Sequence, residues 1–316
     1  MSGGAWRRRL YGSFIFVIFL TSSLAISDEI SAQKSSAEVL EWYGQLLETQ
    51  IPKIRDLIRP NMTAEEREID ARVRIRVIRD DVNNAAAFVG NSIIEIHVGL
   101  VRAMDMITSA RAYAMATGDR TAPGEWLTYV AEEIDQWRSN PKQARDLGNI
   151  QSFATFVEMD KAEWESFRAT PAVGQQFDIE MNSSLMWLVG HELGHHFLKH
   201  KRPSDLSKSR EQEEQADEIA RRLMRDTGYS PYFTSPVLIA FAVWEPEADL
   251  YESASTHPAP LTRIEHNLRN GAEQLLEDPD FRLYLRDTGQ EASFQEQIAA
   301  DLKALQTLRL PNWGAP

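Results

Sequence analysis

Trp187-Leu188-Val189-Gly190-His191-Glu192-Leu193-Gly194-His195-His196 is the stretch on which the reading of this chain turns. It contains His-Glu-x-x-His. On an α-helix, residues four apart lie about 40° apart around the axis and about 6 Å along it, so His191 and His195 aim their imidazoles at one point. Two imidazoles so placed suit one Zn2+ per chain. Glu192, one residue past the first histidine, can reach a water at that ion without taking a coordination position.

A third ligand is expected from a second helix. The chain has no cysteine, so it must be His, Asp or Glu, and disulfides, thiolate metal sites and cysteine nucleophiles are excluded. In Glu213-Glu214-Gln215-Ala216-Asp217-Glu218, Glu213 and Asp217 are spaced i and i+4 and share a helix face. Glu213 would complete a His191, His195, Glu213 set that leaves a fourth position open, as in catalytic zinc sites. Asp217 would then orient a ligating histidine through its other ring nitrogen. An acidic run such as 211–218 read alone is a solvated helix face. Its pairing with His-Glu-x-x-His sets Glu213 apart. His196 and His200 have the same spacing, but Phe197 stands where a glutamate would be needed, so they read as a flanking helix face. His97 and His266 read as ordinary surface or packing residues.

At 316 residues, 43% hydrophobic and 26% charged, the chain has the composition of a globular protein. A net charge of -13 and the lack of a basic stripe argue against a nucleic-acid partner. Arg7 to Arg9, an apolar run from Leu10 to Leu20 and the small residues to Ala25 have the order of a signal peptide over residues 1–26. A retained signal anchor is the alternative, and membrane contact is expected only in that case. The expected location is an exported, periplasmic space.

Downstream, Val39 to Ile58 recur at helical spacing up to Pro60, and Thr63 with Glu66 forms a capping-box pattern. Arg72, Arg74 and Arg76 then alternate with Val73, Ile75 and Val77, the pattern of a half-buried strand. Residues 85–89 and 92–98 are two more short strands around a Gly90-Asn91 turn. From Gly99 onward helices are expected at about 100–117, 125–139, 142–158, 161–169, 182–201 and 209–227, with prolines as boundaries. The expected fold is α+β and predominantly α-helical. Residues 27–316 form one domain, with a small sheet and a helix carrying the histidine pair.

Ser255-Thr256-His257-Pro258-Ala259-Pro260-Leu261-Thr262-Arg263-Ile264 resembles the Ser-x-His-Pro-Pro...Arg-Ile segment of the HtpX-type and CAAX prenyl endopeptidase family. Asn84 to Leu100 resembles that family's Asn-Ala-Phe...Gly-Leu strand pair. The resemblance implies a zincin-like gluzincin metallopeptidase acting on protein or peptide substrates. It makes His191, His195 and Glu213 metal ligands, Glu192 the general base and Asp217 the residue behind a ligand. It matches His257 to an oxyanion-stabilising histidine, against the reading of a turn histidine packed locally before proline, and Arg263 to an arginine near the site. Two departures stand out. About 80 residues, 101–181, rich in tryptophan and phenylalanine, form a helical insertion expected to pack beside or over the cleft, and the family's membrane helices are missing. The soluble exported branch is therefore the nearer comparison. A metal-containing, chaperone-like envelope protein and a zinc hydrolase of non-peptide amides remain alternatives. Oligomeric state is not legible, and 271–316 reads as a C-terminal helical segment.

Overall fold

The computed structural model describes residues 36–139, 150–244, 260–287, 289 and 291–307. Residues 1–26, expected to be a leader, and His257 lie outside them. Helix α1 (Ser36–Ile58) buries Val39, Tyr43, Leu46, Leu47, Ile51, Ile54 and Ile58, the apolar positions of its helical repeat. A 3₁₀ turn at Arg59–Asn61 follows, and α2 (Ala64–Asp70) opens on the expected capping box. The Thr63 hydroxyl accepts from the Glu66 amide at 3.2 Å, and Glu66 Oε2 accepts from the Thr63 amide at 2.8 Å. Fully buried Asp70 accepts hydrogen bonds from Arg55 at 2.6 Å and Arg59 at 3.0 Å, clamping α2 to α1.

Three strands follow: β1 (Arg74–Ile78), β2 (Ala85–Phe88) and β3 (Ile93–His97). Their spatial order is β1-β3-β2, with β3 parallel to β1 and antiparallel to β2. The alternation expected for β1 holds: Arg74 and Arg76 face solvent, and Arg76 pairs across the sheet with Glu95 at 2.9 Å. Fully buried Ile94 and Ile96 anchor β3. The β2–β3 link is a 3₁₀ turn at Val89–Asn91, and its left-handed residue is Ser92 at φ 53°, not Gly90.

Ten helices, counting the single-turn α5, carry most of the rest of the described chain. They are α3 (Val98–Thr117), α4 (Thr121–Ser139), α5 (Phe153–Phe156), α6 (Lys161–Arg168), α7 (Pro171–Phe197), α8 (Leu206–Thr227), α9 (Ser235–Trp244), α10 (Pro260–Glu277), α11 (Pro279–Asp287) and α12 (Glu291–Thr307). A 3₁₀ turn at Pro231–Thr234 leads into α9. The architecture is α+β and predominantly α-helical, as the sequence implied. Helix α7 is the centre of the molecule: it packs on α8, α3, α9, α1 and β2 and is buried along nearly its whole length. A helix covered on all sides carries no clean amphipathic stripe.

Two boundaries differ from expectation. Helix α7 starts eleven residues before position 182, because Pro171 occupies its first turn, where a missing N–H costs nothing. The helix expected over 142–158 is, among the described residues, only the single turn α5. Ser152 caps that turn, and it stops before Glu158, which has left-handed backbone at φ 58°. Within the stretch expected to be an insertion, helices α3 and α6 pack on α7. Trp126 and Trp164 are buried around Phe153 at ring separations of 5.6 and 6.0 Å, and the cluster joins the common core. No helix among the described residues is long and apolar enough to cross a membrane.

Candidate metal centre

Helices α7 and α8 approach closely because their facing positions are small. A Cβ on Gly194 would lie 3.0 Å from Ala216 Cα and 3.1 Å from Ala216 O, and one on Gly190 would lie 3.2 Å from Ala220 Cα. These are the tight helix–helix distances that only glycine on one side permits. The approach brings Glu213, one turn before Asp217 on α8, against the two histidines of α7.

His191 Nε2 and His195 Nε2 are 3.2 Å apart. Glu213 Oε2 lies 3.3 Å from the first and Glu213 Oε1 lies 3.5 Å from the second. A tetrahedral zinc with bonds of about 2.0–2.1 Å sets its ligand atoms about 3.3–3.4 Å apart. The donor set fits that ion in element type, and the nearer carboxylate oxygen to each histidine lies at about that spacing. Among the described residues it is the one group of three such side chains close enough to hold a metal. Two neutral imidazoles and one carboxylate leave a fourth tetrahedral position for water or substrate. Glu192, next to His191 on α7, is buried at the same level of the helix.

Behind His191 stands a charged brace. Its Nδ1 lies 2.8 Å from Asp217 Oδ1, and Arg263 from α10 donates to both Asp217 oxygens at 2.7 and 2.9 Å. Trp187, one turn before His191, stacks on the imidazole at 5.0 Å and 17°, and Arg263 lies 5.1 Å from the Trp187 ring centre. Arg263 thus forms a buried ion pair with the residue that faces the Nδ1 of His191. Burial disfavours charge on His191, but hydrogen bonds to Asp217 and Glu213 outweigh it and raise its pKa to about 10. Burial likewise works against the Asp217 carboxylate, yet Arg263 and His191 hold its pKa well below the usual range. His195 is pushed down to about 3 by burial and by the neighbouring His191 charge.

The reading of His196 and His200 as a flanking face is corrected. His196 is buried, and its Nε2 donates to the Ile93 carbonyl at 3.2 Å, which ties α7 to β3. His200 turns back towards the centre, its Nδ1 2.9 Å from His195 Nδ1. His97 pairs with Asp80 at 2.8 Å and His266 is exposed, so neither joins the site.

No curated protein and no solved structure matches the chain. A family model described as Peptidase U49 matches residues 138–275. That span holds α7, α8 and Arg263, and over it the chain is similar to a peptidase family.

Proposed function

We propose that this chain is a zinc-dependent endopeptidase of the gluzincin type, with His191, His195 and Glu213 as ligands and Glu192 as general base. The observation that carries it is the convergence of the two imidazole nitrogens, 3.2 Å apart, on the Glu213 carboxylate, whose two oxygens lie 3.3 and 3.5 Å from them, beside a glutamate on the histidines' own helix. The likeness of residues 138–275 to a peptidase family supports it. When bound, zinc supplies a Lewis acid that acidifies water and polarises a carbonyl.

The remaining work belongs to the chain. The Glu192 carboxylate takes a proton from the attacking water and returns it to the leaving amine nitrogen, so one residue serves as base and then acid. Asp217 holds the proton of His191 on Nδ1 and leaves Nε2 free to ligate. Strand β2 is an edge of the sheet and packs against α7, so an extended peptide can lie along it by main-chain hydrogen bonds. That mode suits unfolded segments. A leader at residues 1–26 would export the chain and make unfolded envelope proteins its substrates, and N-terminal sequencing of the exported protein checks that placement.

The test is digestion of an unfolded protein such as casein by the zinc-loaded chain. Cleavage should stop with chelator, return with zinc, and fall about 10²–10⁴-fold in Glu192→Gln. Intact casein with zinc-loaded wild type would favour a metal-containing binding protein instead.

A further inference from the structure

Helix α7 ends in a backbone arrangement that points one histidine at another. Lys199 has left-handed backbone at φ 55°. Its amide donates to the His196 carbonyl at 3.1 Å, and the His200 amide donates to the His195 carbonyl at 3.0 Å. This pair of bonds folds the residue after the left-handed position over the residue three places before the cap, usually to join two apolar side chains. Here the two are His200 and His195. A lysine in left-handed backbone costs about 1–2 kcal/mol relative to right-handed backbone, which glycine would avoid. Lys199 is held there with its Nζ 2.8 Å from Glu65.

The side chains continue the chain of contacts. His195 and His200 meet edge to face at 5.0 Å and 75°, with their Nδ1 atoms 2.9 Å apart. On its far side, His200 Nε2 lies 3.0 Å from Gln215 Oε1, and Gln215 Nε2 donates to Glu211 Oε1 at 3.1 Å. A His195 that ligates through Nε2 carries its proton on Nδ1 and must donate there. His200 therefore accepts at Nδ1 and donates from Nε2 to the amide oxygen of Gln215. Every donor in this series meets an acceptor.

We infer that His200 is a positioning residue for the metal ligand His195, fixed in its accepting tautomer by Gln215 and carried to its place by the left-handed turn at Lys199. The inference rests on the zinc-site reading. It gives the two ligating histidines different partners: His191 has the carboxylate of Asp217, and His195 has a neutral imidazole. A neutral acceptor orients His195 without adding a further negative group beside Glu192, Glu213 and Asp217.

The test measures zinc affinity of the full chain by competition with a chromophoric chelator, together with the visible absorption of the cobalt-loaded protein. His200→Ala should weaken zinc binding about 10–100-fold and alter the cobalt bands. His200→Asn, which keeps an acceptor at the δ position, should recover most of that loss. Gln215→Leu, at an exposed position, should weaken binding in the same direction by less. Wild-type affinity and cobalt bands in both His200→Ala and Gln215→Leu would overturn the role of His200, if His195→Ala abolishes binding. A wild-type chain that takes up no zinc would overturn the zinc-site reading and this inference with it.

Discussion

Gly194 lies so close to Ala216 that a methyl group on the glycine would come within 3.0 Å of the alanine Cα. The contact sets the distance between the helix that carries His191 and His195 and the helix that carries Glu213. Gly194→Ala should gain about 1 kcal/mol of helix propensity but lose about 1–3 kcal/mol to overpacking, and force α8 outward. Zinc affinity should fall more than the melting temperature does. Gly190→Ala, with 3.2 Å to Ala220, should act in the same direction and more weakly. Calorimetry and chelator competition on the two variants check the order.

Asp217 faces His191 on one side and Arg263 on the other. Asp217→Asn should remove the carboxylate charge that the buried Arg263 guanidinium donates to, costing about 3–5 kcal/mol of stability. It should also weaken zinc binding about 10–100-fold by loosening His191. Adding Arg263→Met should restore part of the stability and none of the zinc affinity. Denaturant melts and zinc titrations of the single and double variants separate the two effects.

The two histidines give the chelated protein opposite pH slopes. His191, raised to about 10, adds stability that is fully present below its unfolded value of about 6.5 and is lost as pH rises towards 10. His195, lowered to about 3, has the reverse sign: stability is lost as pH falls from about 6.5 towards 3, because only the unfolded chain takes up the proton. Stability from this pair should therefore peak near pH 6.5 and change least there. Zinc must displace the His191 proton, so its affinity should rise about tenfold per pH unit between about 6.5 and 10. A zinc affinity independent of pH across that range would contradict the assignment.

Much of the site could be read before the fold was seen because its spacing is local. His191, Glu192 and His195 need only one helix, and Glu213 with Asp217 needs only the i, i+4 rule. The strands were legible for the same reason, with Arg74 and Arg76 alternating against Ile75 and Val77. His200 was hidden because the left-handed turn that aims it falls on Lys199, where no glycine announces a helix end. The early start of α7 was hidden because Pro171 marks an opening as readily as a stop. The packing of Gly190 and Gly194 is tertiary, set by alanines more than twenty residues away on another helix. Arg263 could be linked to the site by resemblance, but its hold on Asp217 is visible only once α10 lies beside α8.

Zinc content of the purified chain, with Glu192→Gln and Glu213→Ala beside wild type, tests the central assignment most directly. One zinc per chain is expected in wild type and in Glu192→Gln, and far less in Glu213→Ala, because Glu213 ligates and Glu192 does not. A wild-type chain without zinc, or a Glu213→Ala chain that keeps it, would contradict the assignment.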